Sequence, residues 1–167
     1  MTENSFEILL VEDNPDDEAL TLYALKHHFA NNTQVVRDGA EALDFVLCTG
    51  AFADRPVAHL RVIVVDKKLA LVDGMEVVRL LRADPSTSLI PIVMFTSSSD
   101  ERDMIESYRL GVNSYIVKPV EFEKFAETVR QMGHYWLHVN HRPPDLNQRV
   151  ADLELQEAPR GGKTNWP

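Results

Sequence analysis

The chain has 167 residues, 44% of them hydrophobic and 26% charged, a length that suits one domain plus a tail and a core that needs neither disulfide nor structural metal. A net charge of −9 repels nucleic acid and anionic lipid, and the only run of basic side chains is Lys67-Lys68. No segment approaches the ~20 apolar residues of a membrane span, no basic leader opens the chain, and the single Cys48 reads as a packed small hydrophobe in a reducing cytoplasm.

Residues 6–11 (FEILLV) read as a short buried strand. Asn14-Pro15-Asp16-Asp17-Glu18 then signals a helix start: a capping Asn, a Pro at the first helical position and three first-turn acids. Leu22, Leu25 and Phe29 come next at helical spacing. Residues 33–37 (TQVVR) form a second strand, and Asp38-Gly39 turns the chain into a helix ending at Gly50. A loop over 51–59 leads to a third strand at 61–65 and a third helix from Gly74 to Ala83, stopped by Pro85. Residues 91–95 (PIVMF) make a fourth strand, 100–110 a helix closed by Gly111, and 113–117 (NSYIV) a fifth strand; a last helix begins near Glu121. Short apolar strands alternating with helices predict an α/β fold with a parallel sheet covered on both faces.

The residues at the C-terminal ends of the apolar runs matter most. ILLV leads into Glu12-Asp13, VIVV into Asp66, PIVMF into Thr96 and SYIV into Lys118-Pro119. In a parallel sheet every strand ends on the same edge, where open α/β sheets bind ligands. Three carboxylates, a hydroxyl and an ammonium therefore converge. Clustered acids raise one another's pKa unless a cation intervenes, and Mg²⁺ prefers one or two carboxylates, some waters and phosphate oxygens. A metal, a fixed lysine, a hydroxyl and a nucleophilic carboxylate make a phosphoryl-transfer site in which Asp66 becomes an aspartyl phosphate. Singly, each acid is more often a cap or turn residue, and Thr96-Ser97-Ser98-Ser99 looks like an N-cap stretch; it is their matching positions at four strand ends that favour the site.

These pieces, VEDN, VVDKKLALVDG, FTSS and SYIVKP, lie in family order, and over residues 6–139 the chain resembles the receiver domain of two-component response regulators. The resemblance implies a flavodoxin-like, five-stranded parallel sheet in order 2-1-3-4-5 flanked by five helices. It implies that Asp13, Asp66 and the backbone carbonyl of Lys68 bind Mg²⁺, with Glu12 acting through water. Thr96 and Lys118 would contact the phosphoryl group, and Thr96 and Tyr115 would switch the surface formed by the fourth helix, fifth strand and fifth helix. The partner implied is a sensor histidine kinase. VEDNPDDEAL, RDGAEAL and the stretch SYRLGVNSYIVKPVEFEKFAETVRQMGHYWL resemble regulators paired with bacterial phytochromes, so a phytochrome-type kinase is expected. Two departures stand out. Ala70 occupies a position that is usually Pro, which predicts a more mobile acceptor loop. Lys67 comes directly after the acceptor, where an apolar residue is usual, which would favour an ionised Asp66 and an incoming phosphate, unless its side chain points to solvent.

Phe122, Phe125, Val129, Met132, Trp136 and Val139 alternate by three and four, as in a heptad seam. The first half of this stripe must pack on the sheet. A helix over 121–139 would be about 30 Å long, more than a short strand needs, so a homodimer is expected through Phe122, Phe125, Val129, Met132 and Trp136. Pro143-Pro144 ends a receiver domain of residues 1–142. Residues 143–167 read as an extension: a short helix capped by Asp145 that needs a surface, such as a partner subunit's in an arm exchange, then a disordered tail. His134 and His138, four apart, could hold a metal but lack a third ligand, and His27-His28 reads as a solvated helix end. The chain is expected to be a cytoplasmic signalling protein, not an enzyme acting on other substrates, with no nucleic-acid or membrane partner. The alternatives are a degenerate receiver used for docking and an aspartate-nucleophile phosphatase; the latter usually carries a second acid where this chain has Lys68.

Overall fold

A computed structural model describes residues 6–29, 32–55 and 59–143. Five strands, β1 (Ile8–Val11), β2 (Thr33–Val36), β3 (Val62–Val65), β4 (Ile92–Thr96) and β5 (Ser114–Val117), alternate with α1 (Pro15–His28), α2 (Gly39–Leu47), α3 (Gly74–Ala83), α4 (Glu101–Leu110) and α5 (Phe122–His134). The strands form one sheet in the order β2-β1-β3-β4-β5, and every pairing is parallel. Val11, Val36 and Val65 lie in register, so the ends of the inner strands share one edge.

The continuous apolar runs are buried on both faces because successive strand side chains point to opposite sides. Leu9, Val11, Ile63 and Val65 join a core beneath α2 and α3, with Phe45, Val78 and Leu81. Ile8, Leu10, Val62 and Val64 join the opposite core beneath α1 and α5, with Leu25, Phe125 and Val129. The helix starts obey local chemistry. The Asn14 side chain accepts from Asp16 N–H at 2.9 Å and Asp17 N–H at 3.1 Å, with Pro15 at the first helical position. Asp38, Asp73 and Asp100 cap α2, α3 and α4. Gly111, in the left-handed conformation at φ 99°, closes α4.

Three expectations change. The second helix stops at Leu47, not Gly50. Cys48 takes φ 54°, and Thr49 folds back so that its N–H and hydroxyl donate to the backbone and side chain of Asp44. Cys48 is partly buried, and its sulfur lies 3.6 Å from Arg55 Nη2. The last helix does not run regularly to residue 139. It gives way to a π-helical turn, Tyr135–Val139, in which Asn140 N–H reaches the Tyr135 carbonyl at 2.7 Å and Arg61 Nη1 holds the Leu137 carbonyl at 3.0 Å. That wider turn lets both Trp136 and Leu137 face inward.

The apolar stripe of α5 is the third change. Phe125, Val129, Met132 and Trp136 are buried in this chain's own core, so they have no free surface to offer a seam. The three-and-four spacing arises because one helix face covers the sheet. Phe122 alone of the five is exposed, at 55%. The predicted short helix after Pro143 and the tail lie outside the described residues.

Candidate functional site

Three of the site residues are placed by backbone bonds that extend the sheet past its formal ends. Glu12 N–H donates to Val36 O at 3.1 Å, Asp66 N–H to Val11 O at 3.0 Å and Lys118 N–H to Thr96 O at 2.8 Å. The rigid sheet, not a loop, therefore aims these side chains. The loop that follows Asp66 is anchored where it meets α3. Gly74 N–H donates to Lys67 O at 2.8 Å, and a Cβ on Gly74 would stand 2.1 Å from the Asp66 carbonyl oxygen, so only glycine fits there. Ala70 bridges to Asp38, and its carbonyl accepts from Gly39 N–H at 3.4 Å. The loop is tethered to the β2–α2 turn at the residue where proline would be usual.

Lys118 Nζ lies 2.5 Å from Glu12 Oε2, 2.7 Å from Asp66 Oδ2 and 2.8 Å from Asp17 Oδ2. Carboxylate oxygens of Glu12, Asp13 and Asp66 lie within 4.8 Å of one another. Glu12, Asp66 and Lys118 are 2%, 8% and 7% exposed, whereas Asp13 is open to solvent. The pocket thus has a buried floor and an acidic mouth. Thr96 is buried, and its hydroxyl oxygen accepts from Ser98 N–H at 3.3 Å. Lys68 N–H reaches Asp66 Oδ1 at 3.3 Å, which sets the Lys68 backbone beside the Asp66 carboxylate. Four of the five strand-end residues named from the sequence, Glu12, Asp13, Asp66 and Lys118, meet here, and Thr96 ends the neighbouring strand β4.

The electrostatics are those of a cluster short of positive charge. Burial pushes the Glu12 carboxyl up to about 7, with the Asp66 charge adding to the rise, against the opposing pull of the Lys118 hydrogen bond and charge. Burial works against the charge on Lys118, but hydrogen bonds to Asp17, Asp66 and Glu12 outweigh it and hold the ammonium protonated well above its ordinary range. Three carboxylates, Glu12, Asp17 and Asp66, share one lysine, and Asp13 adds a fourth acid to the cluster, an arrangement that invites a further cation. The donors are all oxygens, which suits a hard divalent ion and not zinc or copper.

Two members of the site were not singled out from sequence. Asp17 reads as one more first-turn acid of α1, yet it reaches Lys118; its proximity to the end of β1 was the available signal. Asp103 lies on α4 and pairs with Lys67, so the Lys67 ammonium is engaged by a carboxylate rather than free in solvent. Tyr115 is half-buried and its hydroxyl donates to the Ser98 carbonyl at 2.9 Å. The rings of His134 and His138 are 5.8 Å apart, but among the described residues only Glu12, Asp13 and Asp66 form a cluster fit for a metal.

A doubly covered parallel sheet that gathers acids, a hydroxyl and a lysine at the ends of β1, β3, β4 and β5 defines a phospho-signalling domain of the two-component class. The chain belongs to the response regulator receiver domain family, whose model matches residues 8–130. It is 36% identical over 143 residues to the probable methanogenesis regulatory protein FilR2 of Methanothrix harundinacea, covering 84% of this chain and 90% of that one. It is 34% identical to response regulator Rcp1 of Synechocystis over 131 residues, covering 78% of this chain and 88% of that one. A crystal structure of the Mn²⁺-bound form of Rcp1 matches with a TM-score of 0.77 over 83% of this chain and 99% of that chain, at 31% identity. The bacteriophytochrome response regulator RtBRR is 42% identical, with a TM-score of 0.67, covering 93% of this chain and 94% of its own. The chain is thus a receiver-domain response regulator related to phytochrome response regulators. No helix among the described residues is long and apolar enough to cross a membrane.

Proposed function

We propose that this protein accepts a phosphoryl group on Asp66 from a sensor histidine kinase of the phytochrome type, and acts in the cytoplasm as a single-domain regulator of the kind its relatives represent. One observation carries the reading: the Lys118 ammonium sits between Asp66 and Glu12 while three carboxylate oxygens cluster within 4.8 Å. An Asp66 carboxylate oxygen attacks phosphorus and forms a C–O–P acyl phosphate. The P–N bond of the donor phosphohistidine breaks, and its electron pair stays on the imidazole nitrogen.

Mg²⁺, held by Asp13, Asp66 and the Lys68 carbonyl with Glu12 acting through water, would neutralise charge on the phosphoryl oxygens. Lys118, already within bonding distance of Asp66, provides a second counter-charge after Asp66 is esterified. The Thr96 hydroxyl donates to a phosphoryl oxygen, and Tyr115 moves inward after it, repacking the surface of α4, β5 and α5. Phosphate selects between two existing arrangements. The same pocket supports hydrolytic loss of the group, so the protein catalyses its own charging and discharging and no reaction on other substrates.

Dimerisation belongs to the same proposal, with its surface revised. Phe122, Tyr135 and Val139 are exposed on α5 and the π-turn, and self-association is assigned to these side chains in place of the buried stripe. Asp66→Asn, isosteric but non-nucleophilic, is expected to abolish labelling by acetyl phosphate or a phosphorylated kinase while leaving the fold unchanged by circular dichroism. Full labelling of that variant would refute the assignment.

A further inference from the structure

Lys67 follows Asp66 directly in the sequence. Its ammonium pairs with Asp103 in the first turn of α4. Both side chains are largely withdrawn from solvent, 26% and 19% exposed. The second oxygen of Asp103 accepts from the Ser98 hydroxyl at 2.6 Å. Ser98 is in turn bound to both switch side chains. Its N–H donates to Thr96 Oγ1 at 3.3 Å, and its carbonyl accepts from Tyr115 Oη at 2.9 Å. A continuous chain of contacts therefore joins the residue beside the acceptor to Thr96 and Tyr115, and it passes through one carboxylate. The electrostatics agree with that role. The Lys67 hydrogen bond, and after it the Ser98 one, holds the Asp103 carboxyl below its usual range, and the Asp103 bond raises Lys67 in return.

We infer that Asp103 is a positioning residue that holds the unphosphorylated arrangement, by keeping Lys67 away from the acceptor and Ser98 against Thr96 and Tyr115. The inference rests on the reading of Asp66 as phosphoacceptor. A phosphoryl group there adds about −1.5 to −2 charges one residue from Lys67 and competes with Asp103 for its ammonium. When Lys67 leaves, Asp103 loses its partner and the hold on Ser98 loosens. Thr96 is then free to turn its hydroxyl from Ser98 N–H toward the phosphoryl oxygens, and Tyr115 loses its fixed acceptor. The clamp and the phosphoryl group pull one lysine in opposite directions, so each weakens the other through the same coupling free energy. Removing Asp103 removes that competition and leaves Lys67 available to the phosphoryl group. Removing Lys67 breaks the clamp but also removes the cation that would profit from the break.

The test is a double-mutant cycle read by calorimetric titration of the full chain with beryllofluoride, a phosphoryl stand-in, at saturating Mg²⁺. Asp103→Ala should tighten binding by roughly tenfold. Lys67→Ala should give no tightening, and the double variant should match Lys67→Ala. If Asp103 only supports the first turn of α4, its removal shifts binding equally with and without Lys67, and that result overturns the inference, as does an Asp103→Ala variant no tighter than the wild type. Asp103→Asn keeps the size of the side chain and an acceptor for Ser98, and serves if the alanine variant does not fold; it too should bind more tightly only when Lys67 is present. Wild-type protein that binds no beryllofluoride would bring down the phosphoacceptor reading and this inference together, whereas wild-type binding with a flat cycle would overturn the role of Asp103 alone.

Discussion

Glu12 carries the strongest electrostatic conflict in the pocket, because it is buried beside another acid and neutralised only in part by Lys118. Its carboxyl titrates near 7 in the folded protein against 4.5 for the free side chain. Between those values the folded state holds a proton that the unfolded chain has released. Raising the pH through that window therefore lowers the stability of the metal-free protein, and below 4.5, where both states are protonated, this contribution is constant. A divalent cation competes with the same proton, so Mg²⁺ affinity should rise with pH and level off above about 7. Calorimetry at about pH 6 and about pH 8 should show clearly tighter binding at the higher value, and Glu12→Gln should flatten the difference. Equal affinity at both pH values in the wild type would contradict the proton linkage. Asp17 illustrates what sequence conceals at this scale. Its capping environment explains its presence fully, and only the fold reveals that the first turn of α1 overhangs the end of β1 and brings it to Lys118.

Elements differ in how far their role could be read in advance. The inner strands β1, β3 and β4 were legible because a continuous apolar run of four or five residues has one stable placement, in the middle of a doubly covered sheet, and the helices because Asn14, Asp73 and Asp100 mark their starts chemically. The stripe on α5 was ambiguous, since a helix face that covers a sheet and a heptad seam share nearly the same spacing. Burial resolves it. Phe125 packs against Phe95 with ring centroids 5.2 Å apart, whereas Phe122 lies at the surface. Phe125→Ala should therefore cost about 3–5 kcal/mol in denaturant unfolding, and Phe122→Ala within about 0.5 kcal/mol. In light scattering, Phe122→Ala should weaken self-association. A stability loss at Phe122 as large as that at Phe125, or a monomeric wild type at micromolar concentrations, would count against this division of the helix. The π-turn could not have been foreseen from spacing, because it depends on Arg61, which is remote in sequence, holding the Leu137 carbonyl.

For the whole molecule, the decisive fact is that parallel topology turns sequence separation into spatial proximity. Glu12, Asp66 and Lys118 are spread across most of the chain, yet one lysine nitrogen touches both acids. That convergence was legible because it needs only the strand ends and their shared direction. The pairing of Lys67 with Asp103 was not, because it depends on the side-chain path of a half-buried lysine and on where α4 begins. The sheet provides a fixed acidic edge, and the proposed switch assigns movement to the β4–α4 loop and β5. On this reading the pocket directs a phosphoryl group to Asp66 and nowhere else, with the help of a divalent cation. Borohydride trapping after incubation with acetyl phosphate, then peptide mapping with and without Mg²⁺, reads that chemistry at the residue itself. Reductive modification should appear at Asp66 alone and depend on Mg²⁺. Modification at another carboxylate, or at Asp66 to the same extent in chelator, would contradict it.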